Sequence, residues 1–315
     1  MVNLKVASMF AGIGGICTAF EQAGFQMVWA NEIDKAACNT YRYNMGDWLV
    51  EGNIKNIVPT DIPDMDILTA GFPCQSFSIA GKQKGFNDAR GNLFFEIARV
   101  IDVKRPRIVF LENVDNLIEH DDGKTFLVIY TSLAQFGYTV KYRIMPAHIY
   151  GNLPQPRSRI YLVAFLNIED CDSFSFPEPI DLTASINNII NRSEQKNDIY
   201  YYGKDSIVYK KFGKRICDQN YIYRVSDKGL IRVRDRLCPT LTANMGTYPD
   251  RVPIVQDNYG IRKLTLRECL DFQGFPQSFR FPNSITINDA YKQIGNSVCV
   301  PVIRRIAENL HKTLK

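Results

Sequence analysis

Short apolar runs alternate with helical periodicity through the first half of the chain. Residues 4–10 read as a strand, 16–23 as a helix stopped by Gly24, 25–30 as a second strand, and 34–43 as a helix with Asp34 as N-cap. Strands at 66–70, 107–111, 138–144 and 160–165, with helices at 93–103 and 125–136, continue the alternation. Strands that alternate with helices predict an α/β fold, a largely parallel sheet covered by helices on both faces.

The pattern changes after about residue 167. Residues 173–260 are polar, rich in Tyr, Asn, Lys and Arg, and show few long periodic stretches, which predicts a second, smaller lobe. Regular structure resumes over 264–270, a helix with Thr265 as N-cap that ends in Gln273-Gly274-Phe275-Pro276. A final helix is expected over 298–314. The expected organisation is therefore a first domain over 1–170, an insertion over 171–262, and a segment over 263–315 that returns to the first domain.

Candidate chemistry sits at the strand ends. The 66–70 strand runs into Gly71-Phe72-Pro73-Cys74-Gln75, where Gly71 and Pro73 force a turn and leave Cys74 on a loop past the strand. Alone, the pentapeptide suits a buried structural cysteine as well as a nucleophilic one. Phe10-Ala11-Gly12-Ile13-Gly14-Gly15 follows the first strand and opens a helix, so its backbone can approach a ligand closely. Glu32, at the end of the second strand, stands where a carboxylate meets ribose hydroxyls, and Asn31-Glu32-Ile33-Asp34 supports a nucleoside cofactor. The glycines do not follow the GxGxxG fingerprint, which disfavours a nicotinamide dinucleotide.

Eight cysteines in irregular spacing, none in a CxxC pair, and three scattered histidines, His120, His148 and His311, argue against a metal site or a disulfide framework. No apolar run reaches membrane-spanning length and no signal peptide is recognisable, so a cytoplasmic protein is expected. The net charge of +5 permits a polyanionic partner.

With those two motifs, Glu112-Asn113-Val114, Gln155-Pro156-Arg157-Ser158-Arg159 and Gln293-Ile294-Gly295-Asn296-Ser297-Val298 in this order, the chain resembles the DNA (cytosine-5)-methyltransferases. Ser78-Ile79, the run Gly81 to Phe86, and Arg90-Gly91-Asn92-Leu93-Phe94-Phe95 add to the resemblance, which covers residues 1–167 and 262–315. It implies a Rossmann-like, S-adenosylmethionine-dependent mixed sheet and a smaller inserted target-recognition domain across a DNA-binding cleft. By motif, Phe10, Gly12, Gly14 and Gly15 line the methionine and ribose of the cofactor, Glu32 holds the ribose hydroxyls, and Ile33 packs on adenine. Asn53, Ile54, Pro73, Leu93, Asn296 and Val298 complete the pocket. Asn53 departs from the family, which commonly has an Asp there; its amide oxygen can still accept.

The resemblance also implies the chemistry. A cytosine flipped out of the duplex is attacked at carbon 6 by Cys74, and carbon 5 then takes the methyl group of S-adenosylmethionine. Glu112 donates to ring nitrogen 3, which requires a protonated carboxyl and hence a raised pKa; Arg159 donates to the base carbonyl and Arg157 supports the site. A loop over 76–90 closes on DNA, with Gln75, Ser78, Lys82 and Arg90 as contacts; Ala80 replaces a polar residue of some members. In the polar lobe Arg232, Arg234 and Arg236 alternate, so a strand would present them on one face to phosphates or guanine edges, and Thr240 is a backbone contact near the flipped nucleotide. A monomer acting on double-stranded DNA is expected, without metal. The rival readings are a tRNA cytosine-5 methyltransferase and a catalytically silent DNA-binding regulator. The long insertion disfavours the first; the presence of Cys74 and Glu112 disfavours the second.

Overall fold

Seven strands form one sheet in the order β3-β2-β1-β4-β5-β7-β6: β1 Lys5–Met9, β2 Gln26–Glu32, β3 Leu49–Glu51, β4 Ile67–Gly71, β5 Ile108–Val114, β6 Thr139–Pro146 and β7 Ser158–Phe165. The computed structural model describes residues 4–72, 93–233 and 237–314. The central strands are buried along almost their whole length because helices cover both faces of a parallel sheet, so they read as continuous apolar runs rather than alternating ones. β7 is the exception in direction: it runs antiparallel to β5, pairing Val114 with Arg159 and Glu112 with Tyr161.

The helices follow from their caps and apolar faces. α1 (Gly15–Gln22) starts from Gly14, whose φ of 87° is left-handed, and α2 (Lys35–Met45) starts from Asp34, whose carboxylate accepts from the Ala36 and Ala37 amides. α3 (Leu93–Lys104) buries Phe94, Ile97, Ala98 and Ile101, one helical stripe, and α4 is Lys124–Gln135. Strand order reverses between β1 and β4, whose register pairs Met9 with Ala70. The Phe10–Gly14 turn and Gly71 therefore leave the sheet side by side at its switch point, where open α/β sheets bind ligands.

A second sheet has the order β11-β10-β8-β9, built from β8 Tyr223–Ser226, β9 Gly229–Arg232, β10 Ile254–Gln256 and β11 Ile261–Lys263. Val208, Ile216, Tyr223, Leu230, Ile254 and Ile261 form its apolar core. Beside it lie α5 (Leu266–Gln273) and α6 (Ile287–Asn296), and α7 (Val300–Thr313) ends the chain. Thr265 and Glu268 make a reciprocal capping box on α5, which Gly274 closes in a left-handed conformation. Glu268 also pairs through both oxygens with the fully buried Arg262, whose Nε reaches Asp257 Oδ2 at 2.6 Å.

The chain divides into two compact units, Met1–Met145 with Ser158–Glu178 and Val302–Lys315, and Pro146–Arg157 with Pro179–Pro301. This differs from the division expected at 170 and 262. Residues 263–301 group with the polar lobe because Arg262 is tied to Glu268 and α6 packs on residues 242–247. Residues 146–157 join the same unit, since Gln155 and Arg157 bond its backbone.

Candidate active site

The turn after β1 is strained in a manner that suits a ligand. Phe10 has a φ of 55°, a left-handed conformation uncommon for a residue with a side chain, and Gly12 follows at 56°. A Cβ on Gly12 meets nothing within 4 Å, so its backbone borders open space, whereas one on Gly14 sits 2.9 Å from Met45 Cγ. Gly14 is thus required by the packing of α1 on α2, and Gly15 is the buried first residue of α1. The Glu32 carboxylate closes the turn: Oε2 accepts from the Gly12 amide at 2.9 Å, and Oε1 from the Ile33 and Asp34 amides at 2.8 Å each. Ile33 beside it is 63% exposed, an apolar side chain held in solvent.

The neighbouring segment is held by buried Asn31, whose amide donates to the Val50 and Gly52 carbonyls at 3.0 Å. Asn53 is exposed and its Oδ1 caps a short helical turn by accepting from the Lys55 amide at 3.1 Å. The Ile54 side chain is 3% exposed and belongs to the core cluster. Phe10 and Leu93 are half-buried against that same cluster.

At the ends of β4, β5 and β7 a second group assembles. Glu112 and Arg159 lie on one face as a diagonal pair across the antiparallel β5–β7 ladder, which lets long side chains meet. Arg159 Nε stands 3.2 Å from Glu112 Oε1, and the carboxylate is buried. Gly71 pairs with Glu112 in the β4–β5 register, and a Cβ there would lie 3.4 Å from Glu112 Oε2. Asn113, which the motif contains but the sequence reading gave no role, is buried and donates from Nδ2 to the Phe72 carbonyl at 2.8 Å. It fixes the chain two residues before Cys74; the strand-end position of a buried amide was the only signal available. Pro73, Cys74, Gln75, Ser78, Lys82 and Arg90 lie outside the described residues, as does the loop 76–90.

Arg157 precedes β7, is 4% exposed, and donates to the carbonyls of Leu241 at 2.8 Å, Gly295 and Ser297. Its guanidinium bonds backbone carbonyls. Asn296, exposed, and Val298, buried, sit at the end of α6 on either side of Ser297, and Thr240 is half-buried next to Leu241. β9 ends at Arg232. Arg232 is exposed and lies over the Tyr221 ring at 4.3 Å, while Arg234 and Arg236 lie outside the described residues.

Among the described cysteines only Cys217 is exposed. Burial pushes the Cys17 thiol up to about 11 and Cys38 up to about 12, and raises Cys171, Cys238 and Cys269, so these thiols resist forming the reactive thiolate. The described residues contain no cluster of three His, Cys, Asp or Glu side chains able to hold a metal, and no helix long and apolar enough to cross a membrane.

A glycine turn at the switch point of a seven-stranded sheet, a carboxylate ending the next strand and a reversed seventh strand define the Rossmann-like methyltransferases that use S-adenosylmethionine. The fold agrees with the crystal structure of the Dnmt2 methyltransferase of S. pombe, at a TM-score of 0.74 and 23% identity over 99% of each chain. A family model for C-5 cytosine-specific DNA methylases matches residues 4–312. The type II methyltransferase M.Bsp6I of Bacillus sp. (strain RFL6) is 49% identical over 314 residues, covering 99% of each chain. M.HhaI of Haemophilus parahaemolyticus is 36% identical over 318 residues, covering 100% of this chain and 96% of its own. The chain belongs to the C-5 cytosine-specific DNA methylases, enzymes that place a methyl group on carbon 5 of cytosine in DNA with S-adenosylmethionine as donor.

Proposed function

We propose that this chain methylates one cytosine within a specific duplex site as the modification enzyme of a type II system, with Cys74, Glu112 and Arg159 carrying the chemistry. The observation that carries the assignment is the buried Glu112–Arg159 pair at 3.2 Å, abutting Gly71, the last residue of the strand that leads to Cys74. Cytosine carbon 5 is a weak nucleophile. Addition of the Cys74 thiolate to carbon 6 makes it enamine-like and drives electron density toward ring nitrogen 3 and the carbonyl oxygen. Glu112, carrying its proton when the base arrives, protonates nitrogen 3, and Arg159 donates to the carbonyl. Departure of the carbon-5 proton, expulsion of the Cys74 thiolate and return of the nitrogen-3 proton to Glu112 restore the ring.

The residues of the glycine turn fit S-adenosylmethionine. Gly12 borders open space, Glu32 uses three of its roughly four lone-pair positions and keeps acceptor capacity for a ribose hydroxyl, and exposed Ile33 offers a flat apolar contact to adenine. When bound, the cofactor supplies an electrophilic methyl group on a sulfonium. Gly12→Ala should lower S-adenosylmethionine affinity by about tenfold or more, because a Cβ enters that space and an L residue is strained at this φ. Gly14→Ala should instead act mainly on thermal stability. Calorimetric titration and melting of both variants test the distinction; equal affinity in Gly12→Ala would place the cofactor elsewhere.

The unit holding Arg232 and Thr240 is the reading's DNA-recognition domain, and the protein acts as a cytoplasmic monomer. Bisulfite sequencing of DNA from cells expressing the chain should reveal one methylated cytosine in a recurring short site. Purified enzyme should modify duplex DNA and leave tRNA unmodified; the reverse preference would overturn the reading.

A further inference from the structure

We infer that Gln155 and Arg157 are positioning residues that hold the Thr240–Leu241 pair, and through it the flipped base, in register. The inference rests on the proposed role of Thr240 as a DNA contact and assigns to Gln155 a function in the same reaction.

Residues 237–242 belong to no strand or helix, so no ladder fixes them. Leu241 is held instead by two side chains: its N–H donates to Gln155 Oε1 at 3.0 Å, and its carbonyl accepts from Arg157 Nη1 at 2.8 Å. Both side chains are buried, Gln155 completely. Gln155 is itself anchored, its amide donating to the Phe272 carbonyl at the end of α5 at 2.8 Å, and Arg157 grips the Ser297 carbonyl beyond α6. The Cys238 amide adds a bond to the Pro154 carbonyl at 2.7 Å.

The segment also packs closely against α6. A Cβ on Gly295 would lie 2.1 to 2.4 Å from Thr242 and Ala243 backbone atoms, and one on Gly246 would lie 2.3 Å from the Asn288 carbonyl oxygen. Two glycines thus let backbone meet backbone on either side, and Gln155 and Arg157 set the register between them. Alignment of a reacting base demands a contact held to a fraction of an ångström, and this support supplies the anchoring such a contact needs.

The test uses the full-length enzyme, Gln155→Met and Arg157→Lys, and a duplex with 2-aminopurine at the target position found by bisulfite sequencing. That base brightens when unstacked. Each variant should lower kcat by about 10²-fold while KM for DNA moves less than about fivefold. The saturated 2-aminopurine complex should be dimmer than wild type. Wild-type kcat and brightness in either folded variant would overturn the inference, as would a loss confined to KM. A lowered kcat with full brightness would overturn it too, by assigning the pair to chemistry. If both variants melt below the assay temperature, Thr240→Gly, which loosens the segment without touching either buried side chain, must reproduce the dimmer complex, and its failure to do so overturns the inference. Absence of DNA methylation by the wild type would overturn the underlying reading itself, a result separate from any variant.

Discussion

Cys74→Ser is expected to lose methyl transfer by on the order of 10⁴-fold or more while folding normally. The nucleophile must be an anion, a few per cent of a thiol ionises at neutral pH, and a serine hydroxyl scarcely ionises there and has no adjacent base assigned to it. The other described cysteines offer no substitute: six are buried, burial raises five of those thiols, and Cys217 is exposed in the other unit. Tritium transfer from labelled S-adenosylmethionine to duplex DNA measures the loss. A duplex carrying 5-fluorocytosine at the target provides the complement, because fluorine cannot leave as the proton does. The wild type should form a denaturation-resistant adduct that requires S-adenosylmethionine, and the serine variant none. Turnover by the serine variant within about tenfold of wild type would defeat the Cys74 pathway.

Glu112→Gln should lower kcat by about 10²- to 10⁴-fold, the usual contribution of a positioned proton donor. The change keeps the side chain's shape in a buried site and leaves N–H groups that hydrogen-bond nitrogen 3 without delivering a proton. Cofactor affinity should hold, because Glu112 has no part in the Glu32 turn. Single-turnover rates and cofactor titration on the same preparation separate the two. A rate near wild type would reduce Glu112 to a partner that merely orients Arg159.

The central sheet was legible because β1, β4 and β5 are buried on both faces and therefore nearly unbroken in apolar character. Asp34 and Thr265 were legible because an N-cap is decided by one side chain and the amides just after it. α6 escaped: its sequence is mostly polar, and its buried face includes Gln293 and Gly295, the latter at a close backbone approach to residues 242 and 243. Strands of three or four residues, such as β10 and β11, contain too few alternations to register as a period. Glu112 and Arg159 were named from motif and strand-end position, and the register explains why their side chains meet. Arg157 stands two residues before Arg159 in sequence, but β7 begins only at Ser158, and the Arg157 guanidinium bonds the carbonyls of Leu241, Gly295 and Ser297. The role of Asn113 depends on where the Phe72 carbonyl points, which no linear pattern encodes.

If the second unit reads the target as proposed, its assembly from separated segments governs how specificity can be transplanted between relatives. A graft that exchanges residues 171–262 alone would bring in a foreign Asp257 and Arg262 while keeping the host's Glu268, and would leave the host's Gln155 and Arg157 to grip a foreign Leu241 backbone. Mismatch at the fully buried Arg262 alone is worth about 3–5 kcal/mol, enough to unfold many domains of modest stability. Chimeras cut at Pro179 and Pro301, with residues 146–157 carried along, keep every one of these partners on the same parental sequence. New target preference should therefore travel with that larger block, and designs that treat the recognition element as a single contiguous cassette should yield insoluble protein.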